Sequence, residues 1–172
     1  VYRFSNECSE SALAKFLYSY FPKRVVDSIL ASFEVRIDTR CCYKGYYATV
    51  LVFKSKDGKI RDVKMTLFNP DTGMIVRDGD GDALIQHTQK QNSHVEYESW
   101  PWGDKSYSLA KELSKGYDLK KQPTLFGMQK INRAKRIGVV TSAVDAVVMS
   151  IIDPHCTWLA TGHEGKFGVA LY

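Results

Sequence analysis

At the start of the chain, apolar and polar positions follow two helical stretches. Apolar residues recur at three- and four-residue spacing from residue 11 to residue 20 and again from residue 23 to residue 33, which predicts two amphipathic helices. The Phe21-Pro22 pair separates them, because proline cannot continue a helix. We therefore predict an N-terminal helical hairpin whose aromatic residues, among them Phe16 and Tyr20, belong to the core.

Beyond these helices the pattern changes to that of β-strands. Residues 46–53 are rich in β-branched and aromatic side chains, and residues 60–68 alternate between apolar and polar positions. A Lys-Asp-Gly-Lys segment between them supplies a hairpin turn, and a second turn begins at Asn69. The middle of the chain is therefore predicted to be an antiparallel meander.

A third pattern, between residues 137 and 161, combines several local signals. A short β-branched run is followed by the helix-capping residues Thr141 and Ser142, and then by apolar residues at helical spacing up to Asp153-Pro154. A second strand pattern follows at residues 157–161. Strand, helix and strand within about 30 residues predict a βαβ unit with parallel strands.

Small polar residues follow both strands of this unit. Ligands of open α/β sheets bind beyond the carboxyl ends of the strands. The sequence therefore predicts a ligand-binding edge of the sheet. Its candidate residues are Thr141, Ser142, Asp145, Thr161, Gly162 and His163.

Together these elements predict an α+β fold with an N-terminal helical hairpin, a central antiparallel sheet and a C-terminal βαβ unit. We predict two lobes, residues 1–120 and residues 121–172. No apolar run approaches the roughly 18 to 20 residues that a membrane span needs, and the N-terminus lacks a signal-peptide pattern. We expect a cytoplasmic protein without a membrane partner, whose four cysteines are reduced thiols.

The chain is mildly basic, with a net charge of +5 and a pI of about 9.0, which suits a nucleic-acid partner. Basic residues cluster before the βαβ unit and along the central sheet. Such a cluster forms either a solvated surface or a contact to a phosphate backbone. The candidate contacts, of which the first three are expected to share one face of the sheet, are Arg61, Lys64, Arg77, Lys130, Arg133, Lys135 and Arg136.

One acidic segment resembles a calcium-binding loop only in part. Asp78, Asp80 and Asp82 alternate as calcium ligands do. However, Ala83 stands where the sharp turn needs glycine, and Gln89 stands where the bidentate glutamate belongs. The sequence therefore predicts an acidic turn and no metal site.

The βαβ unit resembles a TOPRIM domain, the metal-dependent nucleotidyl-transfer module of bacterial-type primases and topoisomerases. The matching residues are the strand end at 139–142, Asp145 in the helix and the turn at 159–162. In that family a glutamate follows the first strand, and an Asp-x-Asp metal motif follows a later one. Here Thr141 replaces the glutamate, and the chain ends before the second motif. The resemblance implies a TOPRIM-like unit without the catalytic metal site, in which Mg²⁺ binds only if a longer chain supplies further carboxylates.

The remainder of the chain is similar to the N-terminal part of primase-type polymerase domains, particularly the primase-like proteins of Bacteroidetes mobile elements and phages. The residues that carry this likeness are the strand–turn–strand segment DGKIRDVKMTLFNPDTG and the LFG before the βαβ unit. In these proteins the antiparallel lobe carries basic residues toward a template groove. The resemblance implies that Arg61 and Lys64 contact a nucleic-acid backbone.

Two functions follow from these observations. The first is a catalytically inactive, TOPRIM- and primase-like protein of a mobile element or phage that binds DNA or RNA and needs no cofactor. The alternative is an inhibitor that reuses the scaffold to bind a host nuclease or defence complex. Tyr47, Trp100 and Trp102 would then be interface anchors, although aromatic residues of this kind also stack on bases or pack in a core.

Overall fold

The computed structural model of this chain describes residues 4–5, 8–77, 95–97, 124–132 and 135–162. The chain divides into two compact units. The first comprises Val1–Val50 and Lys64–Gly103, and the second comprises Leu51–Val63 and Asp104–Tyr172. The predicted lobe boundary near residue 120 stays a prediction, because residues 98–123 lie outside the described ranges.

The first unit begins with the predicted helical hairpin. A 3-10 turn at Cys8–Glu10 leads into α1, Ala12–Tyr18, whose N-cap Ser11 accepts a hydrogen bond from the Ala14 amide at 3.0 Å. Helix α2, Lys23–Ser32, begins directly after Pro22. Most of the two apolar stripes is buried, as their spacing predicts, but Val25 of α2 is 40% exposed. The largest fully buried side chains of the hairpin are Leu13, Leu17, Val26, Leu30 and Phe33.

Tyr20 was predicted to belong to the core, and this prediction is wrong. Helix α1 ends at Tyr18, so Tyr20 lies in the turn beyond it and no longer follows the helical period. Its side chain is 67% exposed, whereas that of Phe16, one turn earlier, is half-buried.

The central sheet is antiparallel, as predicted. Its strands are β1 (Phe4–Ser5), β2 (Arg36–Tyr43), β3 (Tyr46–Lys54), β4 (Ile60–Thr66) and β5 (Val95–Tyr97). The order is β1-β2-β3-β4, and β5 also pairs with β2. Lys44 and Gly45 join β2 to β3 with φ values of 50° and 78°, the left-handed pair that a tight hairpin turn requires.

The second unit contains the tip of the β3–β4 hairpin and the predicted βαβ unit. Strand β6 (Arg136–Val140), helix α3 (Ala143–Ile152) and strand β7 (Cys156–Ala160) follow one another, and β6 pairs with β7 in parallel from Arg136↔Cys156 to Val140↔Ala160. The predicted α+β class is therefore confirmed.

Phe126 connects the two parts of this second unit. Its backbone pairs with Ala160 through hydrogen bonds of 2.7 Å and 3.1 Å, and its ring lies 5.4 Å from that of Phe53 in β3. Both rings are buried. The hairpin is thereby packed against the segment that continues the βαβ sheet.

No helix within the described ranges is long and apolar enough to cross a membrane. The four cysteines are free thiols, and burial raises the pKa of the Cys8 thiol to about 11.

Candidate nucleic-acid interface

The carboxyl edge of the βαβ unit brings together five of the positions predicted there. Ser142 caps α3 by accepting hydrogen bonds from the Val144 and Asp145 amides at 3.2 Å and 3.5 Å. The Thr161 amide donates to the Val140 carbonyl at 3.0 Å, and the Thr161 hydroxyl donates to the Thr141 carbonyl at 3.4 Å. The two strand ends are thus joined, and Gly162 follows with a φ of 73°.

This edge offers little for metal chemistry. Asp145 is exposed in the first turn of α3 and is the only carboxylate among the five residues. Two-metal phosphoryl transfer needs several carboxylates around cations about 4 Å apart. Within the described ranges, no group of three or more His, Cys, Asp or Glu side chains is placed to hold a metal ion. His163 lies outside those ranges.

The basic residues before β6 lie at the opposite end of this sheet. Lys135 donates to the Pro154 carbonyl at 3.0 Å, and Arg136 is 3.8 Å from the Asp153 carboxylate. Both contacts are at the amino ends of the strands, and four strand steps of about 3.3 Å place Arg136 about 13 Å from Val140. The structure therefore does not bring these cations to the carboxyl edge of the βαβ unit.

Lys130 belongs to a 3-10 turn, Met128–Lys130, that follows the left-handed Gly127. Burial, together with the positive charge of Lys135, lowers the pKa of the Lys130 ammonium from 10.5 to about 8. Relative to its neutral form, the charged form of Lys130 is therefore less favourable in the folded chain than in water. A phosphate placed beside it would raise this pKa again, because an anion stabilises the charged form.

We expect Lys130→Met to stabilise the protein at pH 7. Since the unfolded chain binds this proton more tightly, charged Lys130 opposes folding below pH 8, and the penalty disappears as the pH rises from about 8 to about 10.5. The gain should be about 1–2 kcal/mol at pH 7, less than the full shift implies because the side chain is partly exposed. Urea unfolding at pH 7 and at high pH measures it. Lys56→Met, at an exposed position, is the control and should change the free energy of unfolding by less than about 0.5 kcal/mol at pH 7. An equal gain for Lys130→Met at both pH values would contradict this explanation.

The tip of the β3–β4 hairpin holds one arginine in a fixed position. The Arg61 Nε donates to the Ser55 hydroxyl oxygen at 3.1 Å, and the Ser55 hydroxyl donates to the Asp57 carboxylate. Asp57 is also 3.2 Å from the Lys59 ammonium. The hydrogen bond from Ser55, which has the larger effect, and the contact with Lys59 lower the pKa of Asp57 to about 2. The carboxylate is therefore charged, and the network persists, throughout the neutral range.

This network leaves part of the Arg61 guanidinium available. In the part of the chain that the structure describes, its two outer nitrogens have no hydrogen-bond or ion-pair partner. The exposed Lys56 in the adjoining turn also has none there. Arg61 was predicted from the sequence, whereas Lys56 and Lys59 were predicted only as part of a turn and Ser55 was not considered. The two lysines that flank Asp57-Gly58 were the available signal.

The predicted basic face of the sheet does not form as expected. Because successive side chains of a strand point to opposite faces, Arg61 and Lys64 lie on opposite faces of β4. Arg61 belongs to the second unit, whereas Lys64 and Arg77 belong to the first. Lys64 is partly buried, and Arg77 is exposed.

Several predicted positions cannot be placed. Arg133, Trp100, Trp102 and the acidic turn that begins at Asp78 lie outside the described residues. Tyr47 is half-buried in β3 and forms an isolated bridge with Ser11. The role of these aromatic residues as interface anchors stays a prediction.

The fold and its surface define a mixed α+β domain with a parallel βαβ unit and a basic hairpin. The chain belongs to the family described as Domain of unknown function (DUF6371), whose model matches residues 11–171. No curated protein matches it.

One solved structure shows a distant likeness. It is a structure of bacteriophage T7 lagging-strand DNA polymerase interacting with primase domains bound to an RNA/DNA hybrid and dTTP. The matched chain is 14% identical with a TM-score of 0.45, and the match covers 84% of this chain and 46% of that one. The present chain thus spans less than half of the matched chain, and a TM-score at this level does not establish a shared fold.

Proposed function

We propose that this chain is a nucleic-acid-binding domain that does not itself carry out phosphoryl transfer. The observation that supports this most directly is the guanidinium of Arg61, which Ser55 holds at 3.1 Å while its outer nitrogens remain without a partner among the described residues. An arginine that is held through its Nε keeps its two outer nitrogens available. Their parallel N–H groups can donate two hydrogen bonds to one phosphate.

The charge of the hairpin supports the same function. Residues 55–61 contain three basic side chains, Lys56, Lys59 and Arg61, and one acidic side chain, Asp57. Asp57 is engaged by Ser55 and Lys59. The hairpin therefore offers an excess of positive charge at an exposed turn, and contacts of this kind to phosphates carry no base specificity.

The absence of catalysis is part of the proposal. Thr141 cannot ionise near neutral pH, and Asp145 is one carboxylate where a pair of metal ions needs several. We infer a TOPRIM- and primase-like domain, of the kind that mobile elements and phages carry, that holds DNA or RNA for another protein. Mg²⁺ would act only if further chain supplied carboxylates.

Fluorescence anisotropy with labelled single-stranded and duplex DNA and RNA tests this function. We expect binding that weakens steeply between about 50 and 200 mM salt. Arg61→Ala should reduce the affinity about tenfold, and Arg61→Lys should restore only part of it because a lysine makes a single-point contact.

Arg24→Ala is the matched control, since it removes one exposed positive charge from α2 in the other unit. It should change the affinity less than twofold. Equal losses in both variants would show attraction to net charge only and would contradict a role for the hairpin. Failure of the wild type to bind at low salt would exclude the function itself.

A further inference from the structure

One corner of the first unit exposes apolar side chains to solvent. The corner consists of Phe16, Tyr20, Gly73 and Met74. The Phe16 and Tyr20 rings lie 5.1 Å apart. A Cβ atom on Gly73 would come within 2.5 Å of the Phe16 ring, so the backbone of this turn rests directly on that ring. Tyr20 is 67% exposed and Met74 is 70% exposed.

The corner is held in shape by hydrogen bonds. The Gly73 amide donates to the Asn69 carbonyl at 2.8 Å, and the Asn69 amide donates to the Met74 carbonyl at 2.8 Å. Gly73 has a φ of 68°, which favours glycine at this position. Little backbone entropy would therefore be lost when a partner covers Met74 and Tyr20, and preorganisation of this kind favours binding.

The charges that flank the corner in the sequence are mostly positive. Between Ser11 and Val26 the charged residues are three exposed cations, Lys15, Lys23 and Arg24. Of the acids close to the corner in the sequence, Glu10 is exposed, whereas Asp27 and Asp71 are engaged. Asp27 accepts a hydrogen bond from the Tyr18 hydroxyl, and Asp71 is 2.6 Å from the Lys44 ammonium.

We propose that this corner is a docking surface for a protein segment that is acidic and carries an apolar side chain as its anchor. The cationic surroundings complement acidic residues, while Tyr20 and Met74 supply the apolar contact that anchors of protein interfaces use. The Tyr20 ring can stack on a base, but the thioether of Met74 offers neither a charge for a phosphate nor a ring for a base, so the pair favours a protein over a nucleic acid. The surface goes beyond the proposed function, since Arg61 belongs to the other unit.

The probe is a fluorescein-labelled peptide of about twelve residues in which glutamate alternates with leucine and phenylalanine. Two matched peptides replace either every glutamate by lysine or every apolar residue by serine. Anisotropy titrations with the full chain should show saturable binding of the first peptide only. The double variant Tyr20→Ser/Met74→Ser should weaken binding about tenfold.

The control is Ile137→Ser/Ile152→Ser, which removes two apolar residues that are 50% and 61% exposed on the βαβ unit. It should leave peptide affinity unchanged. A second variant, Lys15→Glu/Arg24→Glu, keeps the apolar corner and should also weaken binding, so the test does not depend on one variant folding. Circular dichroism checks that each variant is folded.

Four results would overturn the proposal. In the first, the wild type does not bind the acidic and apolar peptide. In the second, Tyr20→Ser/Met74→Ser and Ile137→Ser/Ile152→Ser bind it equally. In the third, the serine-substituted peptide binds as tightly as the original. In the fourth, Tyr20→Ser/Met74→Ser loses oligonucleotide affinity as well, which would assign the corner to nucleic acid.

Discussion

Replacement of Phe126 by alanine is expected to lower the free energy of unfolding by about 3–5 kcal/mol. The ring is fully buried and packs against Phe53 at 5.4 Å. Alanine keeps the two backbone hydrogen bonds with Ala160 but leaves a cavity where the hairpin meets the βαβ unit. Urea unfolding followed by circular dichroism measures the loss as a lower midpoint at an unchanged slope.

Two controls sharpen this prediction. Phe126→Leu keeps most of the volume and should cost less than half as much, and Tyr20→Ala should cost no more than about 0.5 kcal/mol because that ring is exposed. A loss below 1 kcal/mol for Phe126→Ala would contradict the central position of this ring in the second unit.

Gly138→Ala should destabilise the chain by about 1–3 kcal/mol through overpacking. Gly138 lies opposite Trp158 in the parallel pair, and a Cβ atom there would come within 2.5 Å of the indole ring. The indole has little freedom to retreat, since its Nε1 donates to the Asp153 carbonyl at 3.3 Å.

A double-mutant cycle separates this contact from a loss of strand propensity. Trp158→Leu removes the ring atoms that a new methyl group would meet, so the Gly138→Ala penalty should shrink by at least about 1 kcal/mol in that background. If the changes in unfolding free energy caused by Gly138→Ala and Trp158→Leu simply add in the double variant, the cost of Gly138→Ala has another origin.

The elements that sequence predicted correctly are those with local causes. Ser142 caps α3, and Asp153-Pro154 ends it. By contrast, β1, β2 and β5 were not predicted. β1 and β5 have only two and three residues and exist through pairing with β2, which is distant in the chain, while β2 includes the charged residues Arg36 and Asp38. The exposure of Tyr20 was missed because an apolar period carries no information about where the helix stops.

The candidate site shows the same difference between features with local causes and features that depend on how the chain folds back. The helix cap and the joined strand ends at Thr141 and Thr161 follow from the βαβ pattern. The bond between Ser55 and Arg61 does not, because it depends on how the turn folds back. The opposite faces of Arg61 and Lys64 could have been deduced, since three residues in a strand reverse the face.

The path of the chain restricts how this domain can be divided or exchanged. Its second unit is assembled from two stretches, Leu51–Val63 and Asp104–Tyr172, and the contact between Phe53 and Phe126 joins them. No single cut releases this unit, and a fragment that ends anywhere between the two stretches would leave Phe53 without its aromatic partner. Gene fusion or recombination would therefore be expected to transfer the domain whole.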